Sequence, residues 1–202
     1  KVLKPILGKA MLLHQIERIQ YSNMIDKLVV ATSTNISDDA IEKICQNNNI
    51  EVFRGDLINV LDRFFQCARQ YNPKHVVRLT GDCPLADWQV IDQTIQHHIK
   101  GKYDYVSNRL KPAFPDGLDV EVITYSTLKS ARDNAVLPSE KEHVTYYVRQ
   151  RKDKFKLGYY YSAKDLSHMR WTVDEPEDFI LVEKIYKNLY IILSCILGLK
   201  EY

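Results

Sequence analysis

Two short acidic stretches decide the fold of this chain: RLTGDCPL at residues 78–85 and RWTVDEPED at residues 170–178. In each, an apolar run is followed by one aspartate, Asp82 or Asp174, and then by a proline that can open a helix. Such an aspartate lies at the carboxyl end of a strand, where open α/β sheets bind ligands. Two carboxylates there are hard oxygen donors that suit a Mg²⁺ bridging to substrate phosphates. The stretches therefore indicate phosphoryl or nucleotidyl chemistry, although an aspartate before a helix can also be only a cap or a turn former.

Predicted strands alternate with predicted helices over the first half of the chain. The strand segments are apolar or β-branched runs at residues 27–32, 51–53, 74–79 and 103–106. The segments between them carry apolar residues at helical spacing, and Ser37 and Asn59 can cap two of these helices. This alternation predicts an α/β fold of three layers, in which a mostly parallel sheet carries helices on both faces.

The pattern changes after Asn108, and residues 109–165 are predicted to form an inserted α+β lobe. Within it, Ser139 and Glu142 can form a capping box, and residues 155–161 are rich in aromatics that favour strands. The chain is expected to return to the sheet at residues 169–173. We therefore predict one domain over residues 1–190 that includes the lobe, followed by an apolar tail at residues 191–202.

Composition excludes several classes of protein. A formal net charge of +2 without a long block of like charge argues against a nucleic-acid or membrane surface. The four cysteines lack a CxxC pair, which favours free thiols in a reducing cytoplasm over disulfides or zinc ligands. The apolar run at residues 191–199 is much shorter than the roughly 20 residues needed to span a bilayer. It is more typical of a packed terminal helix or an interface.

Four further motifs occur in order along the chain: KPILGK at 4–9, RGD at 54–56 with VLDR at 60–63, FPDGLDVE at 114–121, and EKEHVT at 140–145. Each is weak alone. Their order and spacing resemble the cytidylyltransferases that activate acidic sugars, above all the branch called spore-coat polysaccharide biosynthesis protein F. The 3-deoxy-manno-octulosonate and acylneuraminate cytidylyltransferases are more distant relatives in this resemblance. It implies a nucleotide-diphospho-sugar transferase-like, Rossmann-like fold that transfers CMP from CTP to an acidic sugar and releases pyrophosphate, in surface polysaccharide biosynthesis.

The resemblance also implies roles for individual residues. The family's metal-binding aspartates are matched by Asp82 and Asp174, and the last residue of its phosphate loop by Lys1; these are the expected catalytic residues. The nucleotide pocket is matched by Thr32, Ser33, Arg54, Asp62 and Gly81. The sugar-facing positions are matched by Asp119, Glu121, Glu142 and His143. A surface charge or a helix cap would also explain Arg54 and Asp62, solvated strand alternation would explain Asp119 and Glu121, and His143 could simply pack.

The family's phosphate loop and first strand, which precede the lysine matched by Lys1, have no counterpart in this sequence. We expect either a shortened amino terminus or a part of the enzyme that this sequence does not represent. The resemblance implies Mg²⁺ as cofactor, CTP and an acidic sugar as partners, and a homodimer formed by the lobe. Two alternatives stay open: a glycosyltransferase that uses a nucleotide-sugar donor, although no Asp-x-Asp motif is present, and a non-catalytic homologue.

Overall fold

The computed structural model describes residues 1–109 and 113–197, with side chains as far as Leu189. Its strands are β1 (Pro5–Ile6), β2 (Lys9–Ala10), β3 (Val29–Ser33), β4 (Glu51–Gly55), β5 (His75–Arg78), β6 (Tyr105–Ser107), β7 (Glu121–Thr124) and β8 (Leu157–Tyr159). Its helices are α1 (Met11–Ile19), α2 (Asp39–Asn47), α3 (Val60–Tyr71), α4 (Trp88–Gly101), α5 (Tyr125–Asn134), α6 (Pro138–Glu142), α7 (Tyr146–Arg149) and α8 (Pro176–Leu197).

The strands form a central layer between two layers of helices. β3 pairs with β4 in parallel, and a four-stranded sheet follows in the order β5-β7-β6-β8. β7 runs antiparallel to β5 and β6, whereas β6 and β8 are parallel. Successive residues of a strand point to opposite faces. Accordingly, Val122 packs in a cluster with α4 residues, and Ile123 packs in another with residues of α3, α5 and α7. The three-layer α/β architecture predicted from the alternation is therefore confirmed.

The first half follows the sequence pattern closely. The side chain of Asn59 caps α3 by accepting a hydrogen bond from the backbone N–H of Asp62, as expected. The expected cap at Ser37 is wrong, because the side chain of Asn35 accepts from the Ser37 N–H and a short 3₁₀ turn, Ile36–Asp38, precedes α2. Pro84 does not open a helix either, since α4 begins later and is capped by Asp87.

The segment predicted as an inserted lobe is more closely integrated than expected. It supplies β7 and β8 to the main sheet, and β7 occupies an interior position between β5 and β6. The predicted capping box shifts, because the carboxylate of Glu140, not Glu142, accepts from the backbone N–H groups of Val136 and Leu137. Residues 169–173 do not form a strand; they contribute one isolated bridge, between Asp116 and Arg170.

The aromatic residues of this segment form a core of their own. Tyr147 is 4% exposed and packs against Phe155, in a cluster that also contains residues of α3 and β6.

The described cysteines, Cys45, Cys67 and Cys83, are buried free thiols. The apolar run at residues 191–199 was expected to be a packed terminal helix or an interface, and its side chains lie outside the described part of the chain. Within the described part of the chain, no helix is long and apolar enough to cross a membrane.

Candidate active site

The two predicted aspartates lie side by side. The backbone N–H of Val173 donates to the carbonyl of Asp82 at 2.8 Å, which joins the two acidic loops. The ammonium of Lys1 lies between the carboxylates, 3.0 Å from Asp174 Oδ1 and 3.6 Å from Asp82 Oδ2. The hydrogen bond from Lys1, with a contribution from Arg170, holds the pKa of Asp174 below its usual range. The structure thus brings together the three residues expected to be catalytic.

Arg170 links this centre to two more carboxylates. Its guanidinium donates to Asp174 at 2.8 Å and to Asp116 and Asp178 at 3.0 Å each. Asp178 also accepts from the backbone N–H groups of Asp174 and Glu175, which fixes the loop that carries Asp174. The hydrogen bond from Arg170 is the largest cause that lowers the pKa of Asp178. Sequence reasoning missed Arg170 as a site residue, although it opens the quoted motif four residues before Asp174.

A glycine turn places Asp116 beside this loop. Gly117 has a φ of +110°, and a Cβ built on it would lie 2.4 Å from the backbone nitrogen of Thr172. The carbonyl of Asp116 accepts from the backbone N–H groups of Trp171 and Thr172. Because only glycine allows this approach, the turn fixes FPDGLDVE against the second acidic stretch.

Asp119 lies two residues beyond this turn. Burial raises its pKa to about 6, although the guanidinium of Arg109 opposes the shift. Arg109 donates to Asp119 at 2.9 Å and approaches Asp116 at 3.8 Å, with its own side chain 66% exposed. The negative charge of Asp82 also contributes to raising the pKa of Asp119. Asp119 therefore lies near enough to Asp82 for the two charges to interact, and it has an exposed arginine beside it.

Glu121 is engaged differently from Asp119. It lies on β7, where one oxygen accepts from Tyr105 and Thr145 and the other from Arg78. Burial alone would raise its pKa, but Arg78 and the two hydroxyls lower it overall. Both oxygens are thus occupied by residues of the chain itself, and Glu121 holds β5, β6 and α7 together. Arg78 of β5 thus pairs with a carboxylate of the neighbouring strand β7.

The residues expected to line the nucleotide pocket are divided between two places. Thr32 and Ser33, at the carboxyl end of β3, both donate hydroxyl hydrogen bonds to Asp38 Oδ2, at 2.8 and 2.6 Å. Burial would raise the pKa of Asp38, but these hydroxyls and the Ser33 N–H together lower it. Gly81, in the turn that follows β5, lines the same cavity as Thr32. Carboxyl ends of two strands thus lie on opposite sides of one opening.

Arg54 and Asp62 interact mainly with other groups of the chain. Arg54 donates to the Ser33 carbonyl at 2.8 Å and pairs with Asp39 and Glu42, which ties β4 to the end of β3 and to α2. Asp62 accepts from Arg132 of α5 at 2.9 Å.

The remaining two sugar-site candidates lie on the surface. Glu142 and His143 are exposed at the end of α6, where the helix breaks before α7. Thr145, two residues further on, donates to Glu121 and connects this break to the sheet.

The donor set at Asp82 and Asp174 fits a magnesium ion. The two carboxylates are partly exposed, at 30% and 46%, and both reach the position occupied by the Lys1 ammonium. Within the residues that the structure describes, no three His, Cys, Asp or Glu side chains are grouped as metal ligands. Mg²⁺ commonly takes only one or two protein carboxylates and completes its shell with waters and substrate phosphates. Two aspartates therefore suffice for such a site.

Comparison with known sequences agrees on one family. A family model described as Cytidylyltransferase matches residues 1–194. An uncharacterized protein of Methanocaldococcus jannaschii is 34% identical over 194 residues, which is 95% of this chain and 79% of that protein. Spore coat polysaccharide biosynthesis protein SpsF of Bacillus subtilis is 31% identical over 197 residues, covering 93% of this chain and 80% of SpsF.

Comparison with solved structures gives the same result. A cytidylyltransferase from Leptospira borgpetersenii has a TM-score of 0.89 at 32% identity, covering 93% of this chain and 80% of that one. The structure of CMP:2-keto-3-deoxy-manno-octonic acid synthetase complexed with CTP has a TM-score of 0.69 at 12% identity, covering 93% and 92%. At that identity the likeness concerns the fold alone.

Proposed function

The chain belongs to the cytidylyltransferase family, a family of nucleotidyltransferases, and on this basis we propose that it transfers CMP from CTP to an acidic sugar, releasing pyrophosphate. The proposed setting is the biosynthesis of a surface polysaccharide, as the name of the Bacillus subtilis relative suggests for that protein. The observation that carries the proposal is the convergence of Asp82 and Asp174 on the ammonium of Lys1.

The convergent centre suits the transfer of a nucleotidyl group. Such transfers depend mainly on positioning and on stabilising negative charge at phosphate oxygens. Asp82 and Asp174 would hold Mg²⁺, which when bound supplies positive charge to the phosphates. The ammonium of Lys1, 3.0 Å from Asp174 Oδ1, would supply a second positive charge beside the metal. Arg170 orients the Asp174 carboxylate through its own contact at 2.8 Å.

The nucleotide would lie across the carboxyl ends of β3 and β5, where Thr32 and Gly81 line the opening and Ser33 lies beside Thr32. Asp38 holds the hydroxyls of Thr32 and Ser33 at this opening. Arg54 acts as a positioning residue, because its donors are directed to the Ser33 carbonyl and to carboxylates of the chain. Asp62 would contribute from the neighbouring α3.

The acceptor sugar would lie on the Asp119 side of the centre. An acidic sugar needs a cation for its carboxylate, and Arg109 offers an exposed guanidinium beside Asp119. Glu142 and His143 are exposed and would complete the acceptor site from the neighbouring helix. In this proposal Glu121 shapes the site through its contacts with Arg78, Tyr105 and Thr145.

A pyrophosphate-release assay tests the proposal. We expect release with CTP, and little with ATP, GTP or UTP, in the presence of Mg²⁺ and an acidic eight- or nine-carbon sugar. Asp82→Asn and Asp174→Asn should each lower the rate by about a hundredfold or more, because each removes a carboxylate proposed to hold the cation that stabilises charge on the transferred nucleotidyl group. Both variants should also bind Mg²⁺ more weakly by calorimetry.

The matched control is Asp153→Asn, which removes an exposed carboxylate far from the centre in sequence and should leave rate and metal affinity unchanged. If the protein ignores CTP but cleaves a nucleotide-sugar, the glycosyltransferase interpretation replaces this one. Unchanged Mg²⁺ affinity in both aspartate variants would remove the metal site.

A further inference from the structure

The two oxygens of the Asp174 carboxylate face different cations. Oδ1 lies 3.0 Å from the ammonium of Lys1, which also lies 3.6 Å from Asp82 Oδ2. Oδ2 accepts a hydrogen bond from Nη2 of Arg170 at 2.8 Å. A cation that lies between the two aspartates, as the Lys1 ammonium does, therefore meets Asp174 at Oδ1. The other oxygen is engaged by the arginine.

The guanidinium of Arg170 is held by two further carboxylates. Its Nε and Nη2 donate to the two oxygens of Asp178, at 3.0 Å each, and such a paired contact fixes the plane of the guanidinium. Its Nη1 donates to Asp116 at 3.0 Å. Nε and Nη1 thus use one N–H each and Nη2 uses two, which engages four of the five N–H donors. Arg170 cannot turn away from Asp174 without losing these other contacts.

The residues that hold Arg170 are themselves fixed. Asp178 lies in the first turn of α8, and its carboxylate accepts from the backbone N–H groups of Asp174 and Glu175 at 3.0 Å each. Asp116 lies in the glycine turn that is fixed against the second acidic stretch by backbone hydrogen bonds. Arg170 therefore meets Asp174 from a rigid support, although its side chain is 46% exposed.

Mg²⁺ and Ca²⁺ differ in the number of carboxylate oxygens that they use. Mg²⁺ requires near-ideal octahedral geometry, keeps several waters and is content with one or two carboxylates. Ca²⁺ takes about six to eight oxygens in a flexible arrangement and can bind both oxygens of one carboxylate. Selection between the two ions therefore depends on how many oxygens a site offers. An arginine that engages one carboxylate oxygen lowers that number.

We propose that Arg170 sets the metal selectivity of the candidate site by keeping Asp174 Oδ2 away from the metal, so that the site favours Mg²⁺ over Ca²⁺. The inference rests on the proposed function, since it assumes that Asp82 and Asp174 hold the metal. With Oδ2 engaged, Asp174 offers Oδ1 alone, which suffices for Mg²⁺ but deprives Ca²⁺ of a two-oxygen contact. Arg170 does not touch the metal; it is a positioning residue that acts through Asp174.

The positive charge of Arg170 would act differently from its hydrogen bond. That charge repels both ions to a similar extent, because Mg²⁺ and Ca²⁺ carry the same charge. Removing the charge alone should therefore raise both affinities together and leave their ratio unchanged. Freeing Oδ2 favours only the ion that can use both oxygens. The ratio of the two affinities thus separates the two effects.

The test uses Mn²⁺, another ion that suits carboxylate ligands, and follows by electron paramagnetic resonance its displacement by Mg²⁺ or Ca²⁺. Arg170→Met removes every donor and keeps an unbranched side chain. We expect it to raise the affinity for Ca²⁺ by roughly tenfold more than the affinity for Mg²⁺. The matched control is Arg69→Met, which removes the same charge from an exposed position in the last turn of α3 and should leave the ratio unchanged.

A second variant covers the case in which Arg170→Met does not fold, as judged by circular dichroism. Arg170→Lys keeps the charge, but an ammonium cannot make the paired contact with Asp178 and so engages Asp174 Oδ2 less firmly. The ratio should shift in the same direction, by roughly threefold. In the unmodified chain, Mg²⁺ should displace Mn²⁺ at a lower concentration than Ca²⁺ does.

The outcomes separate this inference from the proposed function. An unchanged ratio in Arg170→Lys, or in folded Arg170→Met, overturns the role of Arg170, and so does an unmodified chain that prefers Ca²⁺. If Mn²⁺ binding is lost in Asp82→Asn and Asp174→Asn, the metal site stands even then. If Mn²⁺ does not bind the unmodified chain, or binds both aspartate variants equally well, the metal site and the role of Arg170 are both overturned.

Discussion

At the scale of single residues, two carboxylates on one short segment show how environment sets charge. Asp119 and Glu121 are two residues apart and both lie in buried surroundings, yet their pKa values move in opposite directions. Glu121 has a guanidinium and two hydroxyls on its oxygens, whereas Asp119 has Arg109 and is surrounded by further negative charge. The family resemblance implied one shared role for them, at the sugar-facing positions. It could not predict that Arg78, 43 residues away from Glu121, would separate those roles.

Asp119 should make stability depend on pH. Its pKa is raised to about 6 in the folded chain, so between about pH 4 and pH 6 the unfolded chain releases this proton while the folded chain retains it. Folding stability is therefore lost as pH rises through this window. The asparagine of Asp119→Asn cannot titrate. From pH 4 to pH 7, the free energy of unfolding of this variant should therefore increase by about 2–3 kcal/mol relative to that of the unmodified chain. Urea unfolding at each pH measures the difference.

The control for this prediction is Asp153→Asn, at an exposed position, which should follow the unmodified chain at every pH. If the gap between Asp119→Asn and the unmodified chain is the same at pH 4 and pH 7, the Asp119 carboxyl does not retain its proton in the folded state.

At the scale of elements, the turn at Gly117 positions the site. Gly117→Ala combines a φ of +110° with a Cβ only 2.4 Å from the Thr172 nitrogen and 2.5 Å from the Trp171 carbonyl carbon. We expect it to lower the free energy of unfolding by about 3 kcal/mol or more, because both strain and overpacking act there. Gly8→Ala is the matched control, since Gly8 also has a positive φ, +77°, but nothing lies within 4 Å of its Cβ position.

Gly8→Ala should cost only about 1 kcal/mol, the conformational part alone. Chemical denaturation of both variants separates the two effects. Equal losses would mean that the Gly117 turn does not approach the second acidic stretch as closely as the structure indicates.

The elements that the sequence predicted well are those fixed by local signals. The periodicity of α1 and α3 and the cap at Asn59 each depend on residues a few positions apart. β7 was placed in a lobe outside the sheet because its position depends on pairing with β5, more than 40 residues earlier. Asp82 and Asp174 could be proposed as site residues because each lies in a recognisable local motif. Asp116 could not, because its role depends on a contact between distant parts of the chain. Its link to Arg170 spans 54 residues.

At the scale of the whole molecule, the surface near α3 and α6 is the best candidate for contact with a second copy. Four side chains there are strongly exposed although apolar: Leu57 at 52%, Ile58 at 76%, Val136 at 76% and Leu137 at 56%. The ion pair between Arg132 and Asp62, at 2.9 Å, joins the end of α5 to the start of α3 and so brings the two pairs of residues to one region. We call these four residues the apolar patch. The tyrosines of the lobe are poorer candidates, because Tyr147 is buried and Tyr160 donates to Gln93.

We therefore predict a homodimer with two-fold symmetry that buries the apolar patch, since exposed apolar clusters usually mark contacts and closed pairs are the commonest assembly. Ile58→Glu combined with Val136→Glu should shift the mass from dimer to monomer, because each places a charge in an interface that would exclude water. Ile36→Glu is the control: Ile36 is 83% exposed but lies before α2, outside the patch, so its charge should leave the dimer intact. Light scattering at tens of micromolar measures all three proteins. A monomeric unmodified chain, or dissociation by Ile36→Glu as complete as that by the patch variant, would show that the apolar patch does not join two copies.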